Sequence, residues 1–215
     1  MMSIAIVDYG MGNLRSVEKA LAHVAPDREI LLTSDPEVIR RADHVVFPGQ
    51  GAMRDCVAEL DQRGLREAVM QATRDKPFLG ICVGAQLLLD RSEEGGDTAA
   101  LGCLAGDVVR FPDELMVGAN GERLKVPHMG WNEVWHQGEH PLWRDIPDGD
   151  RFYFVHSYFL RPHDENVTVG WSEYPFRFSV AMARANIFAC QFHPEKSHRA
   201  GLALLRNFVT WDGVC

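Results

Sequence analysis

Four short apolar runs, each closed by a turn and followed by a helix-spaced stretch, constrain this chain more than any other feature. "SIAIVDY" reads as a buried strand ended by "GMGN", and "LRSVEKALAHV" then repeats apolar residues at Leu14, Val17, Leu21 and Val24. "EILLTS" is a second strand, and Ser34 and Asp35 before "PEVIRRA" carry the cap and early proline of a helix start. "HVVFPG" is a third strand. It is followed by "AMRDCVAELDQRGLREAVMQAT", a long helical stretch broken near Gly64. "PFLGIC" is a fourth strand, and "GAQLLLDRSEE" is expected to be helical. Strands that alternate with helices pair in parallel and carry helices on both sheet faces.

The pattern changes after "EEGGDTAALGCLAG". Between residues 107 and 190 come the strand-like runs "DVVRF", "WNEVW", "RFYFVHSYFL", "VTVGW", "SVAMARA" and "IFACQFH", with no evident helix among them. They predict a smaller, mostly antiparallel or mixed sheet region. "RAGLALLRNFVTW" closes the chain as an amphipathic helix. With 215 residues and no repeat or flexible linker, residues 1–215 read as a single α/β domain.

Composition narrows the function. The net charge of −8 is the wrong sign for a nucleic-acid footprint, and no apolar stretch reaches the roughly 18 residues of a membrane span. "MMSIAIVDYG" has neither a basic leader nor a cleavage site, so a cytoplasmic location is expected. The five cysteines (Cys56, Cys82, Cys103, Cys190 and Cys215) are odd in number and form no C-x-x-C pair. That fits a reducing compartment without a disulfide framework or a zinc knuckle, and no metal or organic cofactor is indicated.

One of these cysteines is placed for chemistry. Gly80-Ile81-Cys82-Val83-Gly84 is G-x-C-x-G at a strand-to-helix bend, the cysteine form of the nucleophile elbow. The bend lifts the sulfur above the sheet edge, and a helix N-terminus there favours thiolate. A thiolate nucleophile needs a base, and the base needs an orienter. "ACQFHPEKS" supplies both as His193 and Glu195, two apart on an extended run that Pro194 holds rigid, with both side chains on one side. "VVFPGQGA" is a glycine-rich turn that can offer a backbone N–H from Gln50 or Gly51 to an oxyanion, with Val83 giving the second donor.

Together "GICVGAQLL", "FHPEKS" and "FPGQGA" resemble the class I, triad-type glutamine amidotransferases. The runs "VDYGMGNLRSV", "VPHMGWNEV" and "YFVHSYF" resemble, more narrowly, the glutaminase subunits of imidazole glycerol phosphate synthase, over nearly the whole chain. The resemblance implies a flavodoxin-like, mostly parallel sheet flanked by helices. It makes Cys82 the nucleophile, His193 the general base and acid, and Glu195 its orienter. Gln86 would help hold substrate glutamine, with Gln50 and Val83 at the oxyanion positions. The ammonia would pass along a sealed route to a (β/α)8-barrel cyclase partner in a heterodimer. That partner would make imidazole glycerol phosphate and aminoimidazole carboxamide ribotide in histidine biosynthesis. Asn13, Trp131 and Lys196 are the candidate contacts with it. Ala85 stands where the family commonly has a larger residue, implying a smaller pocket wall.

Two decoys are set aside. "GMGN" lacks the third glycine of a dinucleotide fingerprint, Arg15 standing in its place. His136-Gln137-Gly138-Glu139-His140 matches an inverted zinc-protease pattern, but Gly138 and Pro141 make it a hairpin loop. His128 and His156 are expected to be structural. The rival functions are a glutamine amidotransferase for another synthase, a stand-alone cysteine hydrolase, or a binding protein on an inactive amidase scaffold.

Overall fold

The computed structural model describes residues 2–118 and 120–214; Cys215 lies outside them. The first half forms the expected alternation: β1 (Ser3–Val7), α1 (Leu14–Val24), β2 (Glu29–Thr33), α2 (Pro36–Arg41), β3 (His44–Gly49), α3 (Met53–Gln62), α4 (Arg66–Asp75) and β4 (Phe78–Cys82). Asp35 caps α2 by accepting the Glu37 N–H at 2.8 Å. The break between α3 and α4 falls at Gly64, whose φ of +66° lies in the left-handed region that glycine enters freely.

After β4 the structure departs from the expectation. Only Val83–Gln86 is helical (α5), and "LLLDRSEE" is not. Leu87, Leu88 and Leu89 are all fully buried. Three consecutive residues on a helix sweep too wide an arc to face one core. The chain instead tightens, with Leu88 and Leu89 N–H groups bonding three residues back, and turns into β5 (Arg91–Ser92) and β6 (Thr98–Ala99).

The second half is built from β7 (Gly106–Arg110), β8 (His128–His136), β9 (Asp150–His156), β10 (Tyr158–Pro162), β11 (Thr168–Glu173), β12 (Arg177–Arg184) and β13 (Ile187–Cys190), closed by α6 (His198–Thr210). The run "RFYFVHSYFL" is thus two strands, divided at Ser157. β9 pairs with β8 while β10 pairs with β7 and β12, so one straight strand could not serve both.

The strands follow the order β2-β1-β3-β4-β13-β12-β10-β7-β5-β6, with β11 joining β12 to β8, and β8 pairing with β9. β2, β1, β3, β4 and β13 are mutually parallel, and β12, β10 and β7 continue antiparallel. Buried residues such as Ile4, Ile6, Val45, Val46, Phe47, Phe78 and Leu79 make the parallel strands apolar on both faces, as covered parallel strands require. α1 packs beside α6 and α2 beside α4. No helix among the described residues is long and apolar enough to cross a membrane.

Register places the chemistry. Gly49 pairs with Cys82 across β3 and β4, and Cys190 pairs with Ile81 across β13 and β4. The loop after β3, the end of β4 and the segment after β13 therefore emerge side by side at the C-terminal edge, where open α/β sheets place their sites.

Candidate active site

Cys82 sits on the bend itself, with φ 55° and ψ −114°. A non-glycine residue in that region is strained by on the order of 1–3 kcal/mol, and only a rigid surround keeps it there. The flanking glycines provide it. A Cβ on Gly84 would lie 1.8 Å from the Phe47 carbonyl oxygen, and one on Gly80 would lie 3.0 Å from Ala85 Cα. α5 thus lies directly on β3 and β4. Ala85 is fully buried against Gly80 and does not border the cavity beside Cys82. Residue 85 therefore does not form the pocket wall.

Cys82 is 4% exposed, yet it opens onto a cavity of about 260 Å³. Gln50, Gly51, Val83, Gln86, His193 and Lys196 share its wall, so the structure brings together every catalytic and glutamine-binding candidate except Glu195, which lies one layer behind. His193 Nδ1 is 2.9 Å from Glu195 Oε1, and the Glu195 side chain is 1% exposed. His193 is extended, but Pro194–Lys196 forms a 3-10 turn rather than continuing the strand. That turn, not strand alternation, folds the carboxylate back beside the ring.

Burial is the strongest influence on His193 and acts to discharge it. Cys82 and Glu195 together outweigh burial and raise the ring to about 10. Glu195 Oε2 is buried without a partner, which leaves the ring as the carboxylate's counter-charge. The expected help from a helix dipole is small, because α5 has only four residues. Its first N–H groups, Val83 among them, still lack intrahelical acceptors.

The loop opposite the thiol is braced from two sides. Cys56 Sγ donates to the Gln50 carbonyl at 3.5 Å, and Met11 Cε would lie 2.9 Å from a Cβ on Gly51. Gly51, at φ 101°, favours glycine for its backbone, since the Met11 terminus could move aside. Met11 belongs to the β1–α1 loop, which ends at Asn13, the residue that starts α1 without capping it through its side chain.

Two further residues belong to the site, one on the cavity wall and one buried behind Cys82. Glu94 borders the cavity and its Oε2 accepts the Met53 N–H at 2.7 Å, fixing the start of α3 after the loop. Gln191 is fully buried, and its amide nitrogen lies 3.8 Å from Cys82 Sγ. Gln86 spends both amide protons inside the protein, on the Tyr158 carbonyl at 3.2 Å and on Gln191 Oε1 at 3.0 Å.

His128 and His156 form a buried pair with Nδ1 of His128 2.9 Å from Nε2 of His156. His156 Nδ1 donates to the Tyr158 carbonyl, and Asn132 donates to His128 Nε2, so one neutral tautomer of each ring satisfies every contact. Burial lowers His128 to about 4 and His156 to about 3. Near the cavity mouth, Trp131 is 42% exposed, stacked on His198 at 4.9 Å, and Met129 is 62% exposed. Lys196 Nζ lies 5.9 Å from the centre of the Tyr153 ring.

Among the described residues no cluster of His, Cys, Asp or Glu could hold a metal. His136 stacks on Trp143, and His140 accepts the Leu142 N–H, so the H-x-x-E-H run is spread over a strand end and a turn.

The class I glutamine amidotransferase family model matches residues 5–211. The HisH subunit of imidazole glycerol phosphate synthase from Thiobacillus denitrificans is 62% identical over 98% of this chain and 92% of its own length. The HisH subunit from Nitrosospira multiformis is 59% identical over the full length of both chains. The fold resembles a glutamine amidotransferase from Thermotoga maritima (TM-score 0.61, 18% identity, 97% and 96% of the two chains covered). It also resembles a protein from Thermoplasma acidophilum described as part of a GMP synthase (TM-score 0.69, 21% identity, 97% and 92% covered). With the elbow, the glycine-rich loop and the His-Pro-Glu turn on one edge of such a sheet, the chain belongs to the class I glutamine amidotransferases, among the HisH subunits of imidazole glycerol phosphate synthase.

Proposed function

We propose that this chain, as one domain over residues 1–215, is the glutaminase half of a cytoplasmic heterodimer with a (β/α)8-barrel cyclase in histidine biosynthesis. It hydrolyses glutamine to glutamate and ammonia. The observation that carries the reading is the strained Cys82 elbow opening onto one cavity with His193, itself paired to buried Glu195.

Cys82 thiolate attacks the side-chain amide carbon of glutamine, and the carbonyl oxygen becomes an oxyanion. Backbone N–H groups of Gln50 or Gly51 and Val83 stabilise it, each donor contributing on the order of a hundredfold in rate. His193 protonates the departing nitrogen, and ammonia leaves a cysteinyl thioester. His193 then takes a proton from water, hydroxide adds to the thioester, and collapse returns glutamate and the thiolate. Glu195 keeps the ring charged and oriented through Nδ1, leaving Nε2 for the sulfur side.

The cavity is smaller than drug-sized pockets, which suits a free amino acid over a polypeptide and disfavours a peptide hydrolase. Glu94 supplies a carboxylate for the substrate's ammonium group. Gln86 contributes through its carbonyl oxygen, its amide protons being engaged. Lys196 lines the cavity, Trp131 is exposed on β8 and Asn13 ends the β1–α1 loop, and we assign the three to the cyclase interface.

The test is co-purification with the candidate cyclase, followed by glutamine turnover with the cyclase and its ligand present and absent. Turnover that rises with the partner supports the reading; full turnover by the isolated chain, with no complex formed, rejects it.

A further inference from the structure

The four-residue α5 leaves Cys82 with little of the dipole that longer helices lend to a cysteine nucleophile, so its thiolate depends on side-chain donors, of which His193 is one. The buried wall behind the sulfur holds a second. Gln191 is that second donor by position. Residue 190 pairs with Ile81 across β13 and β4, which sets residue 191 beside Cys82.

Its amide orientation is determined by the network. Gln86 Nε2 lies within hydrogen-bond distance of the Tyr158 backbone carbonyl, which can only accept. The same nitrogen lies 3.0 Å from the Gln191 side chain, so Gln191 must turn its oxygen toward Gln86. Its NH2 then points at Cys82 Sγ, 3.8 Å away. The Gln191 main chain is pinned as well, its N–H bonding the Val180 carbonyl at 2.8 Å. A fixed N–H aimed at sulfur favours thiolate over thiol, since the charged form is the far better acceptor.

We infer that Gln191 is a positioning residue of the glutaminase reaction, which orients Cys82 Sγ and stabilises its thiolate through an amide donor locked in place by Gln86. The inference rests on the reading of Cys82 as nucleophile. It also gives Gln86 a second task beyond substrate contact: it keeps Gln191 from flipping and presenting an oxygen to the sulfur.

Other titratable groups lie around this sulfur or directly behind its neighbours. They are His193 and Glu195 after β13, Cys190 on β13, Tyr9 after β1, Cys56 on α3, and Glu94, His156 and Lys196 around the cavity. None is altered by changing Gln191 to a neutral residue of similar length.

The experiment measures the rate of Cys82 alkylation by iodoacetamide against pH in the full-length chain, read by mass spectrometry of the Cys82 peptide. Wild type, Gln191→Met and Gln191→Asn are compared, and each melting temperature is recorded. Met fills the space without a donor; Asn keeps an amide too short to reach. We expect both variants to move the alkylation midpoint up by about one pH unit, a roughly tenfold slower reaction below it. In the complex with the cyclase, kcat should fall with KM little changed. An unchanged midpoint in a folded variant overturns the inference even if melting temperature drops, because a purely structural residue would do that. Should Gln191→Met fail to fold, Gln191→Asn decides. Wild-type Cys82 that shows no titrating reactivity at all overturns the nucleophile reading itself, a separate outcome.

Discussion

Gly84→Ala offers the sharpest structural test. The new methyl would sit 1.8 Å from the Phe47 carbonyl oxygen, 2.8 Å from its carbonyl carbon and 3.1 Å from the Pro48 carbonyl carbon. A carbon and an oxygen not bonded to each other need about 3.3 Å or more. The gap must therefore open by about 1.5 Å, and every obstructing atom is backbone in a buried parallel strand. No rotamer change relieves it. Overpacking of this kind costs about 3 kcal/mol or more, which in a chain of this size lowers Tm by roughly 6–12 °C. The functional loss should exceed the stability loss. β3 leads to the Gln50–Gly51 loop and α5 begins at Val83, so the same shift separates the two oxyanion donors, and displacements near 1 Å cost on the order of a hundredfold in rate. Thermal unfolding and glutamine turnover in the cyclase complex measure both. Gly64→Ala is the control: its Cβ meets nothing within 4 Å, and only the positive φ penalises it, by about 1 kcal/mol with turnover intact. A Gly84→Ala protein within about 1 kcal/mol of wild type and fully active would refute the reasoning.

Other outcomes follow from the same geometry. Glu195→Gln removes one of the two groups that raise the His193 ring, Cys82 being the other, and the partner that orients it, and kcat should fall roughly 10²- to 10⁴-fold with KM little affected, by steady-state glutaminase assay. His128 and His156 have folded-state pKa values below the ordinary 6.5, so each takes up a proton on unfolding as pH falls beneath that value. Their contribution is intact above pH 6.5 and lost on acidification toward 4, on the order of 2–4 kcal/mol for the pair by pH 5. Urea unfolding at pH 7 and pH 5 should show that loss, and His128→Gln/His156→Gln should remove the larger part of the acid sensitivity, with His140, His44 and His136, all lowered by burial, supplying the remainder. Trp131→Ala should weaken cyclase binding tenfold or more by titration calorimetry while leaving Cys82 alkylation of the isolated chain unchanged.

The chemistry is legible where it is local in sequence. Cys82 between glycines, and His193 and Glu195 around Pro194, each carry their geometry within a few residues. The parallel half is legible because both-face burial writes itself as unbroken apolar runs. α5 reads longer in sequence than it is, since the three leucines look like a continuing helix until one asks which faces they bury. "RFYFVHSYFL" reads as one strand because the two partners that divide it, β8 and β7, lie far off in the chain. Glu94 and Gln191 stay hidden for a related reason. Glu94 stands in a polar stretch, and only its bond to the Met53 N–H ties it to the site. Gln191 lies inside the "ACQFHPEKS" run, but its meaning depends on the register between β13 and β4 and on a flip fixed by Tyr158. Ala85 shows the converse error: proximity to the nucleophile in sequence does not make a residue part of the pocket wall, and Ala85 is buried with its backbone against Gly80.

The central claim is that Cys82 is the glutamine-attacking nucleophile. Incubating the cyclase complex, with the cyclase ligand bound, with 6-diazo-5-oxo-L-norleucine and mapping the adduct by mass spectrometry tests it directly. One equivalent on Cys82, slowed by added glutamine and absent in His193→Ala, is the expected result. Modification at Cys56, Cys103 or Cys190 instead, or none at all in an intact complex, would contradict it.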